Sequence, residues 1–278
     1  MPNKTWFITG CATGFGRALA ESALARGDNV AVTDRDGGAV ADLARQYPGS
    51  ALALGVDVTN PDQVRAGLEA AFDRFGRIDV LVNNAGFAVQ AAVEEADMDR
   101  VRAMFEVNLF GMVDVIRAAL PRLRAQGGGH IINFASVGGR VSGPLMALYC
   151  ASKFAVEGLS EGLAAEVAPF GIRITVVEPG AFATKFGTSA LLPENPMAEY
   201  EPIREGMAEL IAGLAQGIPS DLAGALLEVA DAPNPPRQFI GGPDAYAMIE
   251  ASLKAQLAEM EQWRDLSARA NTAALENG

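Results

Sequence analysis

Over its first 180 residues the chain alternates short runs rich in Val and Ile with longer segments of helical spacing, and few folds accommodate that pattern. Strands are expected at TWFITG (5–10), NVAVTD (29–34), ALALGVD (51–57), IDVLVN (78–83), HIINFAS (130–136) and IRITVVEPG (172–180). Between them, residues 15–26 and 62–75 have helical spacing; Val64, Leu68, Ala71, Phe72 and Phe75 share a face. Apolar strands separated by helices predict a parallel sheet covered on both sides. Right-handed crossovers then give an α/β, doubly wound parallel β-sheet of the Rossmann type, a three-layer α/β/α sandwich with ligands at the strands' carboxyl ends.

The pattern loosens after residue 184. Residues 203–215 and 219–231 read as helices, PRQFIGG (236–242) as a last strand, and 244–270 as a long amphipathic helix carrying Met248, Ile249, Leu253, Leu257, Met260 and Trp263. No linker or internal repeat divides the 278 residues, so one domain, 1–278, is expected. It would carry a substrate lid at about 185–235 and a C-terminal helical extension at about 244–278. A formal charge of −12 argues against nucleic acid or an anionic membrane as partner. Two isolated cysteines, Cys11 and Cys150, and an N-terminus that enters a strand almost at once point to the cytoplasm. No apolar run is long enough to span a bilayer.

After the first strand, TGCATGFG places Gly10, Gly14 and Gly16 at the start of a helix. Glycines there permit a tight turn and let backbone N–H groups approach a pyrophosphate at the helix's positive end. The spacing is G-x-x-x-G-x-G rather than the usual G-x-G-x-x-G, so alone it is also compatible with an ordinary turn. The second strand ends in Asp34, whose carboxylate can accept from both adenosine ribose hydroxyls and would repel a 2′-phosphate. Arg35 could welcome that phosphate, but Thr13 adds no second cation, so NAD is favoured over NADP.

Tyr149 and Lys153 stand four apart in LYCASKF, hence on one helix face about one turn, ~6 Å, apart. A free tyrosine titrates near ~10 and is a poor base at neutral pH. An ammonium about 4 Å away at an effective dielectric near 20 is worth roughly 4 kcal/mol, or about three pKa units. Burial opposes it, so the lysine must outweigh desolvation. By itself such a pair is usually a surface pair.

With the glycine turn, Asp57-Val58, NNAG (83–86) and YCASK all in order, the chain resembles the short-chain dehydrogenase/reductase family in its single-domain NAD(P)-dependent branch, over roughly residues 5–185. The resemblance implies a seven-stranded parallel sheet, a nicotinamide cofactor, and oxidation or reduction at a hydroxyl or carbonyl carbon. It implies that Gly10, Thr13, Gly14, Phe15 and Gly16 form the phosphate turn, that Asp34 and Arg35 face the ribose, and that Asp57 and Val58 border adenine. Asn84, Ala85 and Gly86 would lie along the cofactor, with Asn84 steadying the sheet. In PGAFAT (179–184), Pro179, Gly180, Phe182 and Thr184 would flank the nicotinamide, Thr184 meeting its carboxamide.

The catalytic set implied is Asn108, Ser136, Tyr149 and Lys153. Tyr149 is the acid/base; Lys153 lowers its pKa and reaches the nicotinamide ribose; Ser136 holds the substrate oxygen; Asn108 supports a water relay. A homodimer or homotetramer is implied too, with small residues Ala155, Gly158, Gly162, Ala164 and Ala165 on the helix after Tyr149.

Other chemistries fit less well. The single histidine, His130, begins a strand, and no G-x-S-x-G elbow surrounds Ser136, which argues against hydrolysis. No Cys/His cluster offers a metal site. A nucleotide-sugar epimerase or dehydratase shares Tyr-x-x-x-Lys but usually differs in glycine spacing, and a non-catalytic dinucleotide-binding regulator would not need the four residues together. Phe182, Phe186, Leu191, Leu192, Met197 and Tyr200 make the expected lid apolar, and Arg140, Val141, Leu145 and Met146 are expected to form a second wall. The expected substrate is a moderately bulky, largely apolar secondary alcohol or ketone.

Overall fold

A computed structural model describes residues 3–186 and 189–270. The strands are β1 (Thr5–Ile8), β2 (Asn29–Asp34), β3 (Ala51–Gly55), β4 (Val80–Asn83), β5 (Gly129–Phe134), β6 (Ile172–Pro179) and β7 (Gln238–Gly241). They form one sheet in the order β3-β2-β1-β4-β5-β6-β7, and every neighbouring pair is parallel. Each expected strand is present. The helices are α1 (Gly14–Ala25), α2 (Ala41–Gln46), α3 (Pro61–Phe75), α4 (Met98–Phe105), α5 (Met112–Ala125), α6 (Ala147–Val167), α7 (Glu201–Ala212), α8 (Pro219–Asp231), α9 (Pro243–Gln262) and α10 (Arg264–Arg269).

The strands are apolar on both faces because both faces are covered. In β1, Phe7 packs with Leu68, Phe72, Val115 and Ile116 of α3 and α5, while Trp6 and Ile8 pack with Leu19, Ala23 and Leu226 of α1 and α8. The period of two thus feeds two separate cores. Helix ends are written locally: Asn60 caps α3 by accepting from the N–H of Asp62 and Gln63, Pro61 opens the helix, and Gly76 closes it at φ +79°.

The strand order reverses between β1 and its two neighbours, β2 and β4, which opens a crevice at the carboxyl ends there. Between α4 and α5 the chain makes a π-helical turn, Glu106–Gly111, which carries Asn108. A Cβ at Gly111 would lie 2.9 Å from the Val58 carbonyl oxygen, so glycine lets this turn seat against the end of the β3 segment.

The C-terminal segment departs from its expected amphipathic role. It breaks at Trp263 into α9 and α10, and of the named apolar face only Ile249 is buried, beside Ala245. Among the described residues no helix is long and apolar enough to cross a membrane.

Candidate active site

The carboxyl ends of β1, β2 and β4 border an outer chamber of about 500 Å³. Gly10, Thr13, Gly14, Phe15, Asp34, Arg35, Asp57, Val58, Asn84, Ala85, Gly86 and Thr184 all line it, so residues from Gly10 to Thr184 meet in one groove. Beside it lies an inner chamber of about 240 Å³ lined by Ser136, Tyr149, Lys153, Pro179, Gly180 and Phe182. Phe15, Asn84, Gly86, Thr184 and Phe186 border both chambers. Asn108 and Gly16 line neither; each acts from behind the wall.

The glycine turn is a close-packed cradle. Gly10 has φ +72°, and a Cβ there would stand 2.9 Å from the Ala85 Cα. A Cβ at Gly16 would collide with the Gly10 carbonyl and the Asn84 amide. Asn84 Nδ2 donates to the carbonyls of Thr9 (2.8 Å) and Gly10 (2.9 Å), so its amide pins β4 to the turn. The first turn of α1 contains no acidic residue, and Thr13 makes no side-chain cap bond, which leaves the helix's N–H groups facing the groove. These are the features an anionic pyrophosphate needs, and a nicotinamide dinucleotide fits the donor set. Asp34 Oδ2 accepts from the N–H of Ala12 at 2.9 Å, which fixes the carboxylate beside the same turn.

In the inner chamber, Tyr149 and Lys153 project from α6 and are 5% and 4% exposed. Lys153 Nζ lies 5.9 Å from the centroid of the Tyr149 ring and donates to the Phe134 carbonyl at 2.8 Å. Ser136, in extended backbone just after β5, accepts from the N–H of Gly138 at 3.1 Å and hydrogen-bonds Tyr149.

The electrostatic balance differs from the expectation. Burial is the largest influence on Tyr149 and drives its pKa above the ordinary phenol value; the Ser136 hydrogen bond opposes this and Cys150 adds to it. Burial likewise pulls the Lys153 ammonium down to about 8, against the attraction of Glu157. The lysine does not outweigh desolvation: its ammonium is held by a backbone carbonyl, and both charged forms lose water. Tyr149 is therefore a neutral phenol at pH 7, able to donate a proton.

Asn108 is fully buried in the π-turn. Its Oδ1 accepts from the N–H of Phe87 (3.0 Å), and its Nδ2 donates to the Phe87 carbonyl (2.9 Å) and Ser152 Oγ (3.2 Å). These bonds hold the Gly86–Phe87 backbone and tie the π-turn to α6. A Cβ at Gly86 would lie 2.9 Å from Asn108 Oδ1 and 3.6 Å from Lys153 Nζ, so this glycine brings the three segments together.

Of the expected second wall, Arg140, Val141, Leu145 and Met146 line neither chamber. Arg140 turns away to pair with Glu178 at 3.0 Å, Leu145 is buried, and Met146 packs against the Ala88–Met104 cluster. Of the expected apolar lid, Phe182, Phe186 and Leu191 reach the cleft. Leu192 is 59% exposed, the Met197 N–H donates to Glu95, and the Tyr200 hydroxyl donates to Glu94.

Sequence reading missed Ile211 and Gln216, which line the inner chamber, and Asp244, which accepts from the N–H of Ala181 at 2.7 Å and so holds the Pro179–Ala181 loop. It also missed a contact of Phe186 with Tyr149, ring centroids 5.7 Å apart. His130 lies at the amino end of the interior strand β5, away from the carboxyl-end cleft, its Nε2 2.8 Å from Thr175 Oγ1. No group of three or more possible metal ligands occurs among the described residues.

Comparison with known proteins agrees with this geometry. Residues 4–194 match the profile of the family described as short chain dehydrogenase. Oxidoreductase BOA17 of Botryotinia fuckeliana (strain B05.10) is 40% identical over 268 residues, 95% of this chain and 98% of the relative. The crystal structure of a short-chain dehydrogenase from Streptomyces avermitilis superposes with a TM-score of 0.91 at 38% identity, covering 97% of this chain and 99% of that one. A short chain dehydrogenase/reductase from Burkholderia phymatum in complex with NAD gives a TM-score of 0.78 at 27% identity, over 91% of this chain and 95% of the other. The chain belongs to the short-chain dehydrogenase/reductase family of oxidoreductases.

Proposed function

We propose that the protein interconverts a secondary alcohol and a ketone with NAD as cofactor, and that the substrate is moderately bulky and apolar. The observation that carries this reading is the adjacency of the two chambers: Phe15, Asn84, Gly86, Thr184 and Phe186 border both the groove that holds Asp34 and the chamber that holds Ser136, Tyr149 and Lys153.

A bound nicotinamide dinucleotide supplies or accepts the hydride; the residues of the chain supply position and protons. Gly10, Gly14 and the N-terminus of α1 hold the pyrophosphate. Asp34 accepts from the ribose hydroxyls, and its charge favours NAD over NADP despite Arg35 beside it. Pro179, Gly180, Phe182 and Thr184 flank the nicotinamide end. Ser136 and the Tyr149 hydroxyl hold the carbonyl oxygen of the substrate between them. Tyr149, kept neutral by burial, gives its proton to that oxygen during reduction and recovers it with the help of Lys153. Asn108 ties the Gly86–Phe87 loop after β4 to α6 and supports a proton relay to Lys153.

Of the expected 185–235 lid, α8 belongs to the core, and Phe186, Leu191 and Ile211 form an apolar lid surface over the cleft that excludes water and suits an apolar substrate. The exposed Phe154 and the open surfaces above Gly158 and Gly162 on α6 support a homodimer or homotetramer. The two buried, unpaired cysteines accord with a cytoplasmic setting. A panel of ketones and secondary alcohols assayed with both NAD(H) and NADP(H) tests the reading. Preference for small charged hydroxy acids would sink the apolar-substrate assignment, and absence of turnover on every ketone would sink the reaction.

A further inference from the structure

One turn of α6 beyond Lys153, Glu157 meets Glu178, the penultimate residue of β6. Glu178 is fully buried, and its Oε1 accepts from Arg140 Nη1 at 3.0 Å. Glu157 Oε2 accepts from Gln238 Nε2 at 3.4 Å. The remaining oxygens, Glu157 Oε1 and Glu178 Oε2, are buried and have no donor, although the two side chains stand within hydrogen-bonding contact of each other. Two ionised carboxylates are acceptors only and cannot bond each other; a single proton between them satisfies both.

From this geometry we propose that Glu157 and Glu178 share one proton, Glu157 as neutral donor and Glu178 as the carboxylate paired with Arg140, and that the pair positions the active site. The three partners come from the three segments that build the inner chamber. Arg140 follows the Ser136 turn, Glu157 lies on the helix of Tyr149 and Lys153, and Glu178 immediately precedes the Pro179–Gly180 loop. Gly139 permits the junction, since a Cβ there would lie 3.1 Å from the Lys153 carbonyl and 3.2 Å from Glu157 Oε1.

Charge supports the same assignment. Arg140 offers one positive charge to two carboxyls, Glu178 fully buried and Glu157 partly so, and the cluster is neutral with one proton but carries a net negative charge without it. Burial first, then the Glu178 charge, push Glu157 up to about 8, with Gln238 and Arg140 opposing. Glu178 is also raised, chiefly by burial, while Arg140 and the bond from Glu157 pull it down, as befits the acceptor of the pair. Lys153 also feels Glu157.

The positioning role rests on the proposed reaction, but the shared proton does not, and the two are measured separately. The infrared band of a neutral carboxylic acid should be present in the wild type at pH 7 and missing from E157Q. A carboxyl whose pKa is raised by folding stabilises most at low pH and loses that contribution as pH rises from the unfolded value, ~4.3, to about 8. The Tm of E157Q should therefore gain on the wild type between pH 5 and 8 and run parallel above.

In turnover at pH 7, E157Q, whose amide still donates to Glu178, should stay within about twofold of the wild type, while E157A should lose about tenfold in kcat at similar NADH affinity. Parallel Tm curves or absence of the acid band would overturn the shared proton. E157Q as impaired as E157A would overturn the positioning role. The band and the E157Q comparison remain decisive if E157A does not fold.

Discussion

Replacing Asp34 by Asn removes the charge at the end of β2 while keeping an oxygen that can accept from the N–H of Ala12, the 2.9 Å bond that fixes the side chain to the glycine turn. The substitution thus separates the electrostatic role of the residue from its structural one. A unit charge about 5 Å from the carboxylate, at an effective dielectric near 20, is repelled by roughly 3 kcal/mol. A 2′-phosphate carries at least that charge, so D34N should raise kcat/KM with NADPH about a hundredfold. The ribose hydroxyls of NADH would exchange charge-assisted bonds for neutral ones at a cost of about 1 kcal/mol, so kcat/KM with NADH should fall about tenfold or less. The assay is initial-rate kinetics with one ketone and both cofactors, with Tm as control. A D34N protein of near-native Tm whose NADPH/NADH ratio moves less than about threefold would refute the reasoning, because the charge would then play no part in selection.

Two further outcomes follow from the packing. His130 is buried, and burial, with Arg173 and Lys4 adding, pulls its pKa down to about 4, so its contribution to stability is complete above the unfolded value, ~6.5, and lost as pH falls toward 4. That is about 3 kcal/mol, and H130Q should show a correspondingly shallower acid limb in urea unfolding; equal acid losses in both proteins would refute it. Phe186→Ala removes the ring that meets Tyr149 and should lower kcat/KM for bulky apolar ketones about tenfold while sparing small ones. Equal losses on both substrate sizes would mean that Phe186 only supports the lid.

The sheet was readable because each buried strand needs a compact run of β-branched and apolar residues, and nothing later in the chain alters that need. The glycine turn, Asp34 and the Tyr149–Lys153 spacing were readable for the same local reason: backbone conformation and helical period fix them within a few residues. What escaped depends on partners far apart in sequence. Nothing near Arg140 announces Glu178, 38 positions on, so a long side chain after the Ser136 turn read as a cleft wall. Asp244 holds the loop at Ala181 across 63 residues, and Ile211 reaches the cleft only because the lid folds back over it. The π-turn at Asn108 has no local signature either; it is visible only once Gly111 is seen against Val58. Tyr149 and Lys153 share α6 as their spacing implied, but the depth of their burial, which sets the sign of both pKa shifts, is a property of the assembled core.

The central claim is that the Tyr149 hydroxyl handles the proton at the substrate oxygen. Tyr149→Phe keeps the buried ring and its contact with Phe186 and removes only that oxygen with its bond to Ser136. Single-turnover reduction of a good ketone substrate by the enzyme–NADH complex should slow by about 10³-fold, with NADH affinity, read by fluorescence, changed less than about threefold. Turnover within about tenfold of the wild type at unchanged NADH affinity would contradict the account.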